Sequence, residues 1–277
     1  MITGARGTPE DPLPAATLIG NTFIGNSCGA AGGGLRIGTN PASSIWDRLV
    51  LSGSLFSGNH SALAGGGLYL RLEAVENAIL TNNSFAGNLA GDSGLHGGGG
   101  IAAVLEDEEA VALSLHNNLF WDNSASAGEG ADLHLANDWD ADGIPASVTL
   151  MNNAFDQSAA GFYADVAFAV DPSNLDAVDP MFVDAASGDL HLQAGSPVID
   201  RGDDTAPELP ATDIDGEARI SGAAVDIGAD ETSAAPNCDR NQDGMFNFRD
   251  ILLFYRSCGG ACSPGEIKGF IRECRPQ

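Results

Sequence analysis

Five copies of one short phrase punctuate the first two thirds of the chain: NTFIGN from Asn21, SLFSGN from Ser54, NSFAGN from Asn83, NLFWDN from Asn118 and NAFDQS from Asn153. Their phenylalanines, Phe23, Phe56, Phe85, Phe120 and Phe155, recur every 29 to 35 residues. A unit of that length cannot bury its apolar side alone, so the copies must stack on one another. Leu18, Leu51, Leu80, Leu115 and Leu150 lie five residues before each phenylalanine, with Ala16, Leu49, Ala78, Leu113 and Val148 two positions earlier still. That alternation is strand-like. In a straight strand an odd offset puts the leucine and the phenylalanine on opposite faces. A chain that buries both therefore turns a corner between them, and the intervening Asn, Ser and Gly residues suit the bend.

Glycine runs follow at Gly32 to Gly34, Gly65 to Gly67 and Gly97 to Gly100, each leading into an alternating stretch: LRIG, LYLRL and IAAVL. Each repeat thus holds at least two short strands and two bends. Stacked in register, the repeats align leucine on leucine, phenylalanine on phenylalanine and asparagine on asparagine, which makes a parallel β-solenoid. Asparagine ladders satisfy amides from coil to coil, and each fully buried ring contributes roughly 1.5–3 kcal/mol. The period is too long for a leucine-rich repeat and holds too few strands for a propeller blade. The 36 glycines and 18% charged residues also argue against long helices over most of the chain. These motifs resemble the Phe-x-x-Asn and Gly-Gly-x repeats of bacterial polymorphic outer-membrane proteins. The resemblance implies an all-β fold, a right-handed parallel β-helix of the pectate-lyase-like kind.

From about Asp171 the repeat stops. Asp179-Pro180-x-Phe182, Gly195-Ser196-Pro197-x-Ile199-Asp200, Asp215-Gly216-x-x-Arg219 and Asp226-Ile227-Gly228-Ala229-x-Glu231 follow in order. This run closely resembles the C-terminal signature of choice-of-anchor Q β-helix proteins. A solenoid leaves an open strand edge and apolar rings at its end, so we expect residues 171–232 to supply final coils and a cap. Asp200, Asp213, Asp215, Asp226 and Arg219 are expected to form a buried ion-pair and turn network rather than a catalytic centre. Arg201-Gly202-Asp203 spells an integrin-recognition tripeptide, read as chance within this motif.

The most specific chemical motif lies in the tail. Asp239, Asn241, Asp243, Asn247 and Asp250 occupy positions one, three, five, nine and twelve of a loop with Gly244 at six, the pattern of an EF-hand. Calcium needs six to eight oxygen ligands, so Met245 is expected to add its backbone carbonyl. Phe248, Ile251, Leu252 and Tyr255 then follow at helical spacing, predicting an amphipathic exit helix. Aspartate at position twelve resembles dockerin loops, although the second half, PGEIKGFIREC, lacks the calcium ligands of a second loop. Cys238, Cys258, Cys262 and Cys274 suggest two disulfides of open connectivity and an oxidising compartment. A zinc site is the rival reading, opposed by the Cys258–Cys262 spacing and the lack of a nearby histidine. Asp138-x-Asp140-x-Asp142-Gly143 imitates a calcium loop but carries Ile144, Ala146 and Thr149 where later ligands belong. It reads as an exposed loop.

The domain plan is therefore a polar segment 1–15, repeats 16–170, cap 171–232 and a dockerin-like calcium module 233–277. The formal charge of −26 disfavours nucleic acid and anionic membranes, and no apolar run has the length for membrane insertion. The first residues are polar and do not read as a signal peptide. Carbohydrate chemistry on a β-helix needs two carboxylates across a scissile bond, or a basic residue beside calcium. Arg36, Arg48 and Arg71 are the basic residues of the repeats, the run Glu106 to Glu109 reads as a solvated loop, and His60, His96, His116, His134 and His191 are dispersed. The expectation is a noncatalytic bacterial surface or matrix protein that is extracellular, binds glycan or a cell-surface protein, and attaches through its calcium module. The alternatives are a polysaccharide lyase or glycoside hydrolase and a self-associating fibre subunit.

Overall fold

A computed structural model describes residues 15–38, 46–72, 75–91, 97–105, 111–126, 129–137, 147–165, 170–232, 248–257 and 268. The chain forms two compact units, Met1–Glu231 and Thr232–Gln277. The first is an all-β parallel solenoid in which each of the first four passes of the chain lays one short strand on each of four sheets, the fifth omits the third sheet and a last strand extends the second. The first sheet stacks Ala15–Ile19, Trp46–Ser52, Val75–Thr81, Ala112–His116 and Ser147–Met151. The second stacks Thr22–Ile24, Leu55–Ser57, Ser84–Ala86, Leu119–Trp121, Ala154–Phe155 and Leu175–Asp176. Two-residue strands at Ser27–Cys28, His60–Ser61, Leu89–Ala90 and Ser124–Ala125 make the third. Leu35–Ile37, Leu68–Leu72, Ile101–Leu105, Leu133–Asn137 and Phe162–Ala164 make the fourth.

The corner demanded by the odd offset is present. Leu51 lies in the first sheet and Phe56 in the second, and both are completely buried. Between the two sheets the backbone turns through a left-handed residue, Gly53, Asn82, Asn117 or Asn152, with φ of 57°, 52°, 55° and 53°. Glycine and asparagine tolerate that conformation best. The leucines align as Leu18, Leu51, Leu80, Leu115 and Leu150. The rings of Phe23, Phe56, Phe85 and Phe120 stack at centroid distances of 4.7, 4.6 and 5.1 Å with interplanar angles of 10–13°. Phe155 breaks the stack by turning edge-on at 75°, and Phe162 meets it edge-on at 5.6 Å. The last ring is thus closed over and fully buried.

Two asparagine ladders run beside this core. In the first, the Asn83 backbone N–H and side-chain amide both donate to Asn118 Oδ1, at 3.0 and 2.9 Å. Asn118 does the same to Asn153, and Asn153 to Asn174. Each side-chain amide also donates to the carbonyl of a ladder leucine, as Asn83 does to Leu51 and Asn118 to Leu80. The second ladder links Asn26, Asn59, Asn88 and Asn123 in the same way. Corner backbone that would be left unpaired inside the coil is therefore satisfied. The glycine runs have a steric cause: a Cβ on Gly33 would lie 2.4 Å from the Gly66 carbonyl oxygen of the next coil.

The segment expected as an end cap takes another course. Its start continues the second sheet through Leu175–Asp176 and forms an antiparallel hairpin of Phe182–Asp184 with Asp189–Leu192. The remainder folds back along the flank of the coils. Phe182, Leu190, Leu192, Val198, Ile227 and Ala229 pack on the outward side chains of the second sheet, Leu55, Ala86, Leu119 and Ala154. The corner asparagines hold it there: Asn82 donates to the carbonyls of Asp226 and Gly228, and Asn117 to that of Asp203. The packing surface is lateral because the second sheet is apolar on both faces. In the second unit, the helix expected after the calcium loop spans Phe248–Ser257. Asp239, Asn241, Asp243, Met245 and Asn247 lie outside the described residues, as does the Asp250 side chain, and so do the four clustered cysteines.

Candidate functional site

The second asparagine ladder ends in a carboxylate. Ser158 stands where the next ladder asparagine would fall, and Asp132 supplies the acceptor instead. Its Oδ1 accepts from the Asn123 side-chain amide at 3.0 Å and its Oδ2 from the Asp156 backbone N–H at 2.9 Å. Asp132 is 5% exposed. Burial pushes its carboxyl up to about 6, against the two hydrogen bonds and with the charges of Asp156 and Asp122 adding to the rise.

Beside it opens a cleft of about 270 Å³ lined by Trp121, Asp122, Asp132, Asp156, Gly161 and Val178 among others. Trp121 is half-buried and Asp122 exposed. The cleft thus brings the Trp121 side chain, which also packs against the apolar cluster of the flank segment, together with carboxylates where the last coils meet Ala177 and Val178.

Asp132 ionises near 3.8 when solvated and about 6 when folded, so the folded chain holds its proton over that interval and the unfolded chain does not. Stability from this group is therefore present below 3.8 and lost as pH rises to about 6, by about 3 kcal/mol in total. Relative to Asp132→Asn, the native protein should lose stability steadily between pH 4 and 7 in urea titrations. Parallel profiles for the two proteins would refute the assignment.

A second cluster lies on the flank segment. His191 Nδ1 is 2.5 Å from Asp189 Oδ1 and Nε2 is 3.0 Å from Asp215 Oδ2. Ligand atoms of His191, Asp215 and Asp230 lie within 4.8 Å of one another. Burial pulls the His191 imidazole down, but the bond to Asp189 and the charges of Asp230 and Asp215 outweigh it and leave it raised. Burial pushes Asp230 up, countered by the Leu192 N–H and His191 and reinforced by Asp213 and Asp215.

The motif forms a buried ion-pair and turn network through Arg219, Glu231, Asp213, Asp226 and Asp200, whereas the Asp215 side chain, expected within it, is exposed and meets His191. Arg219 is 2% exposed and donates to the carbonyls of Ala229 and Asp230 and to Glu231 Oε2 at 2.8 Å. Glu231 also accepts from the N–H groups of Asp226 and Ser221, Asp213 from those of Asp215 and Glu217, and Asp200 from Ala223 and Ala224. These carboxylates spend their lone pairs on turns. The Arg201-Gly202-Asp203 tripeptide is pinned as well, since Asp203 exchanges backbone bonds with the Asn117 side chain.

Among the described residues the histidines are not brought together. His60 lies on the third sheet, His116 ends a strand of the first, and His134 stacks on Tyr163 at 4.5 Å on the fourth. Burial lowers the His116 pKa against the charge of Asp203. Arg36 covers the Tyr69 ring at 5.1 Å and Arg48 pairs with Glu208. His96, the run from Glu106 to Glu109 and the loop from Asp138 to Gly143 lie outside the described residues. Sequence reasoning missed both clusters above; the one available signal was Ser158 interrupting the asparagine series. No protein-family model matches this chain, and neither does any curated protein or solved structure.

Proposed function

We propose that the chain is a noncatalytic, glycan-binding protein of the bacterial surface or extracellular matrix, built as a right-handed β-helix with a calcium-stabilised, dockerin-like attachment module. Right-handed connections are the general rule for parallel strands joined within one sheet. The calcium set is Asp239, Asn241, Asp243, Met245, Asn247 and Asp250, on the EF-hand spacing.

The observation that carries the binding reading is the cleft beside Trp121. An indole face receives the C–H surface of a sugar ring, while Asp122 and Asp156 accept its hydroxyls, a combination typical of small-ligand clefts with few polar anchors. Asp132 already accepts hydrogen bonds at both oxygens, which suits a support for the cleft wall better than a proton donor. The net charge of −26 favours neutral glycans over acidic ones.

Retention on a panel of neutral and acidic polysaccharides, with calcium and with chelator, tests this directly. Neutral polymer should retain the protein unchanged, and Trp121→Ala should weaken retention at least tenfold. One observation favours a second reading: a carboxyl raised to about 6 beside two others resembles the acid of a glycoside hydrolase. New reducing ends that vanish in Asp132→Asn would establish that reading and overturn the first.

A further inference from the structure

We propose that His191, Asp215 and Asp230 bind a first-row divalent transition metal, with Asp189 orienting the imidazole. The three donors come from separate stretches already fixed in place. His191 sits in the hairpin strand Asp189–Leu192. The Asp215 N–H is held by Asp213 Oδ1 at 3.0 Å, and Asp230 Oδ2 accepts from the Leu192 N–H at 2.8 Å.

The imidazole is arranged as a ligand requires. Nδ1, 2.5 Å from Asp189 Oδ1, carries its proton toward that carboxylate, and the Nε2 proton, which meets Asp215 Oδ2 at 3.0 Å, is the one a metal displaces to solvent. A carboxylate behind a histidine is the usual outer partner of a metal-bound ring, fixing its tautomer and raising its basicity. Asp230 gives a separate indication. It is 6% exposed, its carboxylate receives a single hydrogen bond among the described residues, and it lies beside the charges of Asp213 and Asp215 with the His191 ring as its counter-charge. Once that ring gives up its Nε2 proton the carboxylate faces like charge, which favours a cation in its place.

One imidazole and two carboxylates select zinc, manganese, iron or cobalt over calcium, which takes oxygen donors. Tetrahedral zinc with ligand bonds near 2.0–2.1 Å spaces its donors about 3.3 Å apart. The Nε2–Oδ2 distance of 3.0 Å is close to that, and the spread of 4.8 Å closes by carboxylate rotation. The side chains of His191 and Asp215 are 43% and 53% exposed, so an ion reaches the site from solvent with water completing its shell.

Zinc titration of the full chain, followed by calorimetry and by long-range proton–nitrogen NMR of the histidine rings, tests the site. One equivalent of zinc should shift Nε2 of His191 and raise the thermal midpoint. Asp215→Asn, at an exposed side chain, should weaken zinc at least tenfold, Asp189→Asn by 10–100-fold, and His191→Gln should abolish the ring signal and the stoichiometric binding together. If the His191 ring is indifferent to zinc, or if Asp215→Asn and His191→Gln bind it as the native chain does, the cluster is a protonated histidine bridging two carboxylates and the proposal fails.

Discussion

Replacing Arg219 by alanine is expected to destabilise the solenoid unit by about 3–5 kcal/mol, the usual cost of leaving a buried charge without its partner. The guanidinium joins three consecutive stretches of carbonyl and carboxylate, at Ala229, Asp230 and Glu231, and both ion-pair partners are almost wholly inaccessible, at 2% and 0% side-chain exposure. Without it, Glu231 keeps the N–H groups of Asp226 and Ser221 among the described residues. Burial already pushes its carboxyl up, held back by the Asp226 N–H, Arg219 and Ser221. Removing the arginine therefore drives it further toward the neutral form. Adding Glu231→Gln to Arg219→Ala should recover part of the loss, because the second change removes the stranded charge. Urea midpoints at pH 7 measure both. A loss below 1 kcal/mol, or no recovery in the double variant, would mean that the flank segment is held by its apolar contacts and that the ion pair is incidental.

Phe85→Ala should have an effect of similar size for a different reason. Phe85 is completely buried with rings stacked on both sides, at 4.6 Å from Phe56 and 5.1 Å from Phe120. Deleting a buried phenylalanine costs about 3–5 kcal/mol, through lost transfer energy and the cavity left behind. In a stacked array stability is approximately a sum of coil and interface contributions. The cavity therefore weakens both interfaces of the third coil. Among the described residues Phe23 stacks on one side only and it is half-buried, so Phe23→Ala should cost distinctly less. Hydrogen exchange would show the contrast: Phe85→Ala should raise exchange in the coils on either side, whereas Phe23→Ala should raise it only in the first. Equal effects would imply that the rings do not couple neighbouring coils.

Both residues carry different lessons about what a sequence discloses. The ring stack, leucine file and asparagine ladders were legible because each side chain repeats at the coil period, and register follows once the copies are aligned. Even the corner between leucine and phenylalanine follows from the parity of their offset. The third sheet was not legible, since strands as short as His60–Ser61 contain no alternation. The motif from Asp179 to Glu231 disclosed a structural network but not its location. Its expected place was the solenoid end, and it lies along the flank because Leu55, Ala86, Leu119 and Ala154 make the second sheet apolar outside as well as inside. Alternation reveals one buried face; here the intervening residues are small or aliphatic too, and single-sequence patterning gives them no direction. His191, Asp215 and Asp230 belong to irregular backbone with no period, so only the fold could bring them together.

The ladders also bear on how such a chain changes over evolutionary time. Successive rungs of the first ladder, from the Ser54 N–H that opens it through Asn83, Asn118 and Asn153 to Asn174, lie 29, 35, 35 and 21 residues apart, yet the N–H and amide contacts at every rung stay between 2.8 and 3.0 Å. Register is thus enforced locally, by an asparagine meeting the next, and not by a fixed count of residues between them. The number of residues between rungs can therefore change while the rungs themselves are kept, so the spine is inherited intact as coils of different length and composition are built on it.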